Sequence, residues 1–367
     1  MKKFLSLTLA LVMTATLLTG CGSNDSESSE NESKKTSAGS NGELKVYNWG
    51  EYIDEEVIYM FEEETGIHVT YDMFETNEEM YPIIEAGGVA YDVVCPSDYM
   101  IEKMLENDLL QKINYDNIPN MKYLSPTIME GCEAFDPGNK YAVPYTYGTL
   151  GILYNTTMVD EPVTSWSILW DEKYKDNILM YNSVRDTFVA PLRLLGADIN
   201  TTDDAILAQA KDMLIDQKQL IHGYFMDQIK NLMVSDAAAL AMAYSGEVLA
   251  LQEENPNLAY ALPEEGSNFF IDAWVIPANA ENKENAEKWI NFLNRPDIAL
   301  KNFEYITYST PNIGAQELID GELLENPAVF PDEETLSKCA IFRSIGAEGD
   351  AKMGELWMEI KGAEVKK

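Results

Sequence analysis

The chain has 367 residues, with 26 Lys and Arg against 62 Asp and Glu, for a formal net charge of −36. So acidic a polypeptide repels nucleic-acid phosphates and anionic headgroups, which excludes DNA and RNA as partners and favours cationic ligands. At 46% hydrophobic residues it can bury full cores, and a length of roughly 150 residues per domain predicts about two of them.

Lys2 and Lys3 precede an apolar stretch over residues 4–18 that is too short to span a bilayer. Residues 1–20 therefore read as a secretory leader. They end in Leu18-Thr19-Gly20-Cys21, which resembles the bacterial lipobox and makes Cys21 the expected lipidation site. Residues 21–42 read as the lipidated cysteine and a disordered tether, because they carry almost no apolar side chains. The expected location is extracytoplasmic, anchored to the bacterial cell membrane by lipid alone, on the periplasmic face where an outer membrane exists. Cys95, Cys132 and Cys339 remain, an odd number without metal-ligand spacing. They are expected to be buried thiols, and no metal or cofactor is expected.

Leu44 and Val46 alternate as a first strand, and Asp54 caps a helix whose Val57, Ile58 and Phe61 share a face. Gly66 stops that helix. Ile67, Val69, Tyr71 and Met73 alternate as a second strand, and Thr76-Asn77-Glu78-Glu79 has the capping-box form for a helix that Pro82 should kink. A third strand over residues 91–95 leads to a helix that Asp98 caps and that carries Met100, Ile101, Met104 and Leu105. This strand–helix alternation predicts an α/β fold with a largely parallel sheet.

Ligands of such sheets lie beyond the carboxyl ends of the strands. Here the turns at those ends are aromatic and acidic: YNWGEY over 47–52, PSDY over 96–99 and AYSGE over 243–247. In NFFIDAW, over 268–274, Asp272 sits inside an apolar strand. A carboxylate buried there without a partner costs several kcal/mol. No Lys or Arg lies between Lys230 and Lys283, so its partner is either a cation from a distant part of the chain or a ligand cation.

YNWGEY, ETGIHVTYDMFETNEEMY, PSDY, VPYTYGTLGILYN, TSWSILW, AYSGE, IDAWVIPANAENKENA, INFLNRPDIA and YSTPN, taken in order, resemble the polyamine-binding lipoproteins of spermidine/putrescine ABC transporters. The resemblance runs from about Leu44 to the C-terminus. It implies a two-lobed, type II periplasmic-binding-protein fold of the α/β class with the ligand cleft between lobes. The implied lobes are 43–147 plus 271–310 and 148–270 plus 311–367, with crossings near Tyr147, Phe270 and Thr310. Carried over by position, the implied ligand-binding residues are Trp49, Gly50, Tyr52, Ser97, Tyr99, Asp186, Tyr244, Glu247, Phe270, Asp272 and Tyr308. Gly50 departs from the hydroxyl residue usual in the family, Asp186 replaces a more frequent Glu, and Ser183 stands where spermidine-preferring members can carry an acid. The implied function is capture of putrescine or spermidine for an ABC permease, by a monomer without catalysis.

Polyamine chemistry agrees with those residue types, since a hydrocarbon bearing terminal ammonium groups needs apolar aromatic walls and spaced carboxylates. Asp272 and Glu247 are expected to share one ammonium and Asp186 to take the other, an arrangement favouring a diamine. Two readings compete. One is a binder of quaternary amines such as choline or betaine, and the other is a glycoside hydrolase using a carboxylate pair. His68 and His222 have no nucleophile or second His at catalytic spacing, and no zinc, Walker or nucleophile-elbow motif occurs.

Overall fold

The computed structural model describes residues 42–364. The leader, Cys21 and all of the tether but its last residue lie outside them. The first strand, β1 (Glu43–Trp49), is followed by helix α1 (Glu55–Thr65). The Asp54 carboxylate accepts the Glu56 amide at 2.9 Å at one end of α1, and Gly66 closes the other in the left-handed region, as read from the sequence. After β2 (His68–Phe74), α2 (Asn77–Ala86) is capped by the Thr76 hydroxyl accepting from the Glu79 amide and runs through Pro82. The third strand is short, β3 (Val93–Val94), and leads into α3 (Asp98–Glu106). Ser97, not Asp98, holds the cap position of α3. Asp98 is its first residue, and its carboxylate accepts the amides of Tyr99 at 2.7 Å and Ile271 at 3.3 Å. It therefore ties α3 to a strand remote in sequence.

The remaining strands are β4 (Leu110–Gln111), β5 (Ala142–Asn155), β6 (Ile178–Tyr181), β7 (Ile221–Phe225), β8 (Leu240–Tyr244), β9 (Leu258–Ala261) and β10 (Phe269–Pro277). They form one sheet in the order β2-β1-β3-β10-β5-β8-β6-β7, with β4 beside β10 and β9 beside β5. The expectation of a largely parallel sheet needs correction. β1 is parallel to β2 and β3, and β6 to β7 and β8, but β10 runs antiparallel to β3 and β5, and β5 antiparallel to β8. Two parallel flanks are joined by antiparallel strands because β5 carries the chain from the first flank to the second and β10 brings it back. Ile271 pairs with Tyr147, Phe270 with Gly148, and Ser309 bridges to Tyr147. The two joining strands and the segment at Ser309 thus lie side by side.

Each flank has its own apolar packing. Leu44, Val57, Phe61, Trp274 and Trp289 fill one face of the first flank, while Tyr47, Met80, Met100, Ile101 and Phe135 fill the other. In the second, Leu150, Ile152, Trp166, Leu179 and Met242 pack together, and the C-terminal helix Gly346–Gly362 adds Leu356, Trp357 and Ile360 against Phe188 and Leu214. Each such side chain contributes about 1.5–3 kcal/mol on burial. Cys95 and Cys132 are buried, as expected, but Cys339 is only partly so, because it lies in a connection rather than within the sheet. No helix among the described residues is long and apolar enough to cross a membrane.

Candidate functional site

The carboxyl ends of β1, β3, β6 and β8 open onto one cleft. All eleven residues implied by the resemblance line it: Trp49, Gly50 and Tyr52 after β1, Ser97 and Tyr99 at α3, Asp186 on the helix Val184–Leu194, Tyr244 and Glu247 after β8, Phe270 and Asp272 on β10, and Tyr308. They come from both flanks and from the strands joining them.

The rings lie in two groups. Tyr52 meets Tyr308 edge-on at 4.8 Å, Tyr244 meets Phe270 edge-on at 5.4 Å, and Trp49 leans on Phe74 at 4.5 Å. Phe270 can lie flat across β5 only because its neighbour is Gly148, where an added Cβ would fall 2.7 Å from the ring. Gly246 serves Tyr308 the same way, since a Cβ there would fall inside that ring.

Asp272 is buried beside these rings. The Tyr52 hydroxyl, itself 2.5 Å from the Thr146 hydroxyl, donates to its Oδ2 at 2.7 Å, while Oδ1 has no hydrogen-bond partner. Burial pushes its carboxyl up to about 6; the neighbouring Ser97 side chain and the Tyr52 hydrogen bond pull it down and the Asp186 charge pushes it up. An orphan oxygen on a buried carboxylate is an unfilled acceptor. The Asp186 Oδ2 accepts from Ser183 at 2.5 Å and from Tyr244 at 2.9 Å. Burial raises its pKa, and those hydrogen bonds and the Arg185 charge oppose the shift. Glu247 accepts from the Tyr181 hydroxyl at 3.1 Å. Burial raises it too, Lys230 lowers it, and Asp227 and Glu51 raise it. Asp186 acts on Asp272, whereas Glu247 belongs with Glu51, Asp227 and Lys230.

Sequence reasoning missed several lining residues. Asn77 donates to the Ser97 and Tyr99 hydroxyls, both at 3.1 Å, and Tyr99 donates to Glu78 at 2.9 Å. Arg185 lies over Tyr99 at 5.1 Å and Phe342 at 4.5 Å. Among the described residues the cleft is lined by eight carboxylates against Arg185 and Lys230. Such a surface can bind an elongated molecule with positive ends and an apolar middle.

Comparison with known proteins places this geometry. The family described as bacterial extracellular solute-binding protein matches residues 56–331. The spermidine/putrescine-binding periplasmic protein of Salmonella typhimurium is 35% identical over 326 residues, covering 88% of this chain and 93% of the relative. The putrescine-binding periplasmic protein PotF of Escherichia coli is 30% identical over 339 residues, covering 88% and 92%. The crystal structure of the spermidine/putrescine ABC transporter substrate-binding protein PotD from Streptococcus pneumoniae superposes with a TM-score of 0.76 at 39% identity, covering 87% of this chain and 98% of that one. The fold is thus the two-lobed binding-protein architecture, and the chain belongs to the bacterial extracellular solute-binding proteins.

Proposed function

We propose that this protein captures a polyamine, putrescine or spermidine, outside the cytoplasm and delivers it to the permease of an ABC importer. The observation that carries the reading is the pairing of an orphaned, buried Asp272 oxygen with an aromatic wall in a cleft of eight carboxylates and two cations. The names of the relatives support the same ligand class. In this reading Trp49, Tyr244, Phe270 and Tyr308 pack on methylenes. Tyr52, Ser97 and Tyr99 orient the acids, and Gly50 leaves room at the first turn. An ammonium sits between Asp272 and Asp186, each charge-assisted hydrogen bond contributing roughly 1.5–3 kcal/mol.

We infer that the lobes are 43–147 plus 271–310 and 148–270 plus 311–367, that Cys21 carries the lipid anchor, and that the mature protein is a monomer that catalyses nothing. The relatives' description as binding proteins supports the last point. Thermal unfolding with putrescine, cadaverine, spermidine, spermine and choline tests the ligand class. A polyamine at a thousand times its Kd stabilises by about 4 kcal/mol, and choline leaves the midpoint unmoved. No shift with any polyamine at millimolar concentration overturns the proposal.

A further inference from the structure

We propose that Lys230 is a resident cation of the cleft, that it fills the ammonium seat between Glu51 and Glu247, and that it thereby restricts the ligand to two ammonium groups. The inference rests on the polyamine reading above. Lys230 comes from the helix Gln228–Val234. Its ammonium lies 3.0 Å from Glu51 Oε2, 3.5 Å from Asp227 Oδ1 and 3.8 Å from Glu247 Oε1. An ammonium has three donors and no acceptor, and this one faces three carboxylates. Chemically the side chain is an aminobutyl arm, a four-carbon stem ending in an ammonium. It presents the same group as the end of a polyamine, and its covalent attachment gives it a high effective concentration at the seat.

The two cations of the cleft behave differently. Arg185 donates to Asn200 Oδ1 at 2.9 Å and to the Arg343 carbonyl at 3.2 Å, and stacks on Tyr99 and Phe342, so its hydrogen bonds face away from the cleft acids. The Asp272 oxygen stays unpartnered. At the opposite end Glu247, whose side chain is 10% exposed, already has a counter-ion in Lys230, whose own is 26% exposed. Lys230 also reaches across the cleft, because Glu51 follows β1 of the first flank while Lys230 and Glu247 belong to the second. An exposed ion pair contributes little, but this one shields a buried acid. A third ligand ammonium must displace Lys230 from it, whereas a diamine can use the free acids alone.

Calorimetry with putrescine and spermidine on wild type, Lys230→Met and Lys230→Arg tests the assignment, and Lys230→Gln repeats it should the Met variant not fold. The ratio of spermidine to putrescine affinity rises at least fivefold when the ammonium is removed, and stays at the wild-type value in Lys230→Arg. A wild type that binds both ligands, with a ratio moving less than fivefold in the uncharged variants, overturns the role of Lys230. A wild type that binds neither overturns the polyamine reading instead.

Discussion

Replacing Asp272 by Asn should make the empty protein more stable and the ligand weaker. Asn has the same shape, and its carbonyl can still accept from the Tyr52 hydroxyl, now 2.7 Å from the carboxylate. What disappears is a charge that burial disfavours. The folded group titrates at about 6 against an ordinary value of 3.8. At about 1.36 kcal/mol per unit, the ionised carboxylate therefore costs the empty fold about 3 kcal/mol. The sign follows from which state holds the proton more tightly. The folded state does, so the penalty is absent below pH 3.8, grows as the pH rises towards 6, and is complete above it. Unfolding roughly 320 residues at about 2.1 cal/mol/K each gives an entropy near 0.7 kcal/mol/K, so the gain corresponds to about 4 °C in Tm.

Calorimetric melting of wild type and Asp272→Asn at pH 7.5 and pH 4, without ligand, measures this directly: the Asn variant melts about 4 °C higher at pH 7.5, and the gap closes towards pH 4. With putrescine the order reverses, since a lost charge-assisted hydrogen bond of about 1.5–3 kcal/mol weakens binding by about 10–150-fold. Wild-type affinity should also fall by about tenfold between pH 7 and pH 5, as Asp272 must release a proton to accept an ammonium, and this dependence should flatten in the variant. An Asn variant that is less stable than wild type at pH 7.5, or that keeps putrescine affinity within threefold, would refute the reasoning.

Gly246→Ala pushes a methyl group into the Tyr308 ring, so polyamine affinity drops at least tenfold while the far-UV circular dichroism stays that of wild type; titration by tryptophan fluorescence reads the loss. Tyr244→Phe removes the 2.9 Å hydrogen bond to Asp186 but leaves the ring on Phe270, and putrescine binding measured by calorimetry weakens by about tenfold. Because Asp186 and Asp272 come from different flanks, a bridging ligand should draw them together. Small-angle scattering is expected to show a smaller radius of gyration with saturating putrescine, and an identical profile would argue for a rigid, preformed pocket.

The first flank was legible because its signals are local. Asp54, Gly66 and Thr76 sit within a turn of the helix ends they fix, and β2 opens in the two-residue period with Val69 buried, although Met73, expected on the same face, is exposed and Phe74 is buried in its place. β5 was not, since Pro144, Gly148 and Gly151 interrupt it and its pairing with β8, β9 and β10 depends on residues about a hundred positions away. Even its glycines have non-local reasons: a Cβ at Gly148 would meet Phe270, and one at Gly151 the Tyr260 hydroxyl. Asp272 announced itself as a charge among apolar neighbours. Lys230 gave no such signal, as an isolated basic residue on a short helix looks like any solvated side chain until the fold brings Glu51, 179 positions distant, to its ammonium.

A helix N-terminus normally attracts anions, because its free amides and the aligned peptide dipoles place partial positive charge there. Of the helices that begin at this cleft, α2, α3 and Val184–Leu194 each carry an acid in the first turn: Glu78, Asp98 and Asp186. The dipole at each start contributes about 0.3–1 kcal/mol, up to ~2 when partly buried, towards keeping the carboxylate charged. Burial raises the pKa of all three, so this support opposes their neutralisation when the cleft is empty. The fold thereby turns an architecture suited to phosphate or carboxylate ligands into one for cations. Glu78 and Asp186 take the place an anionic ligand would have held, while Asp98 spends both oxygens on the Tyr99 and Ile271 amides. Selectivity among cations must then come from what else occupies the cleft, and on the Glu247 side the occupant is the Lys230 ammonium.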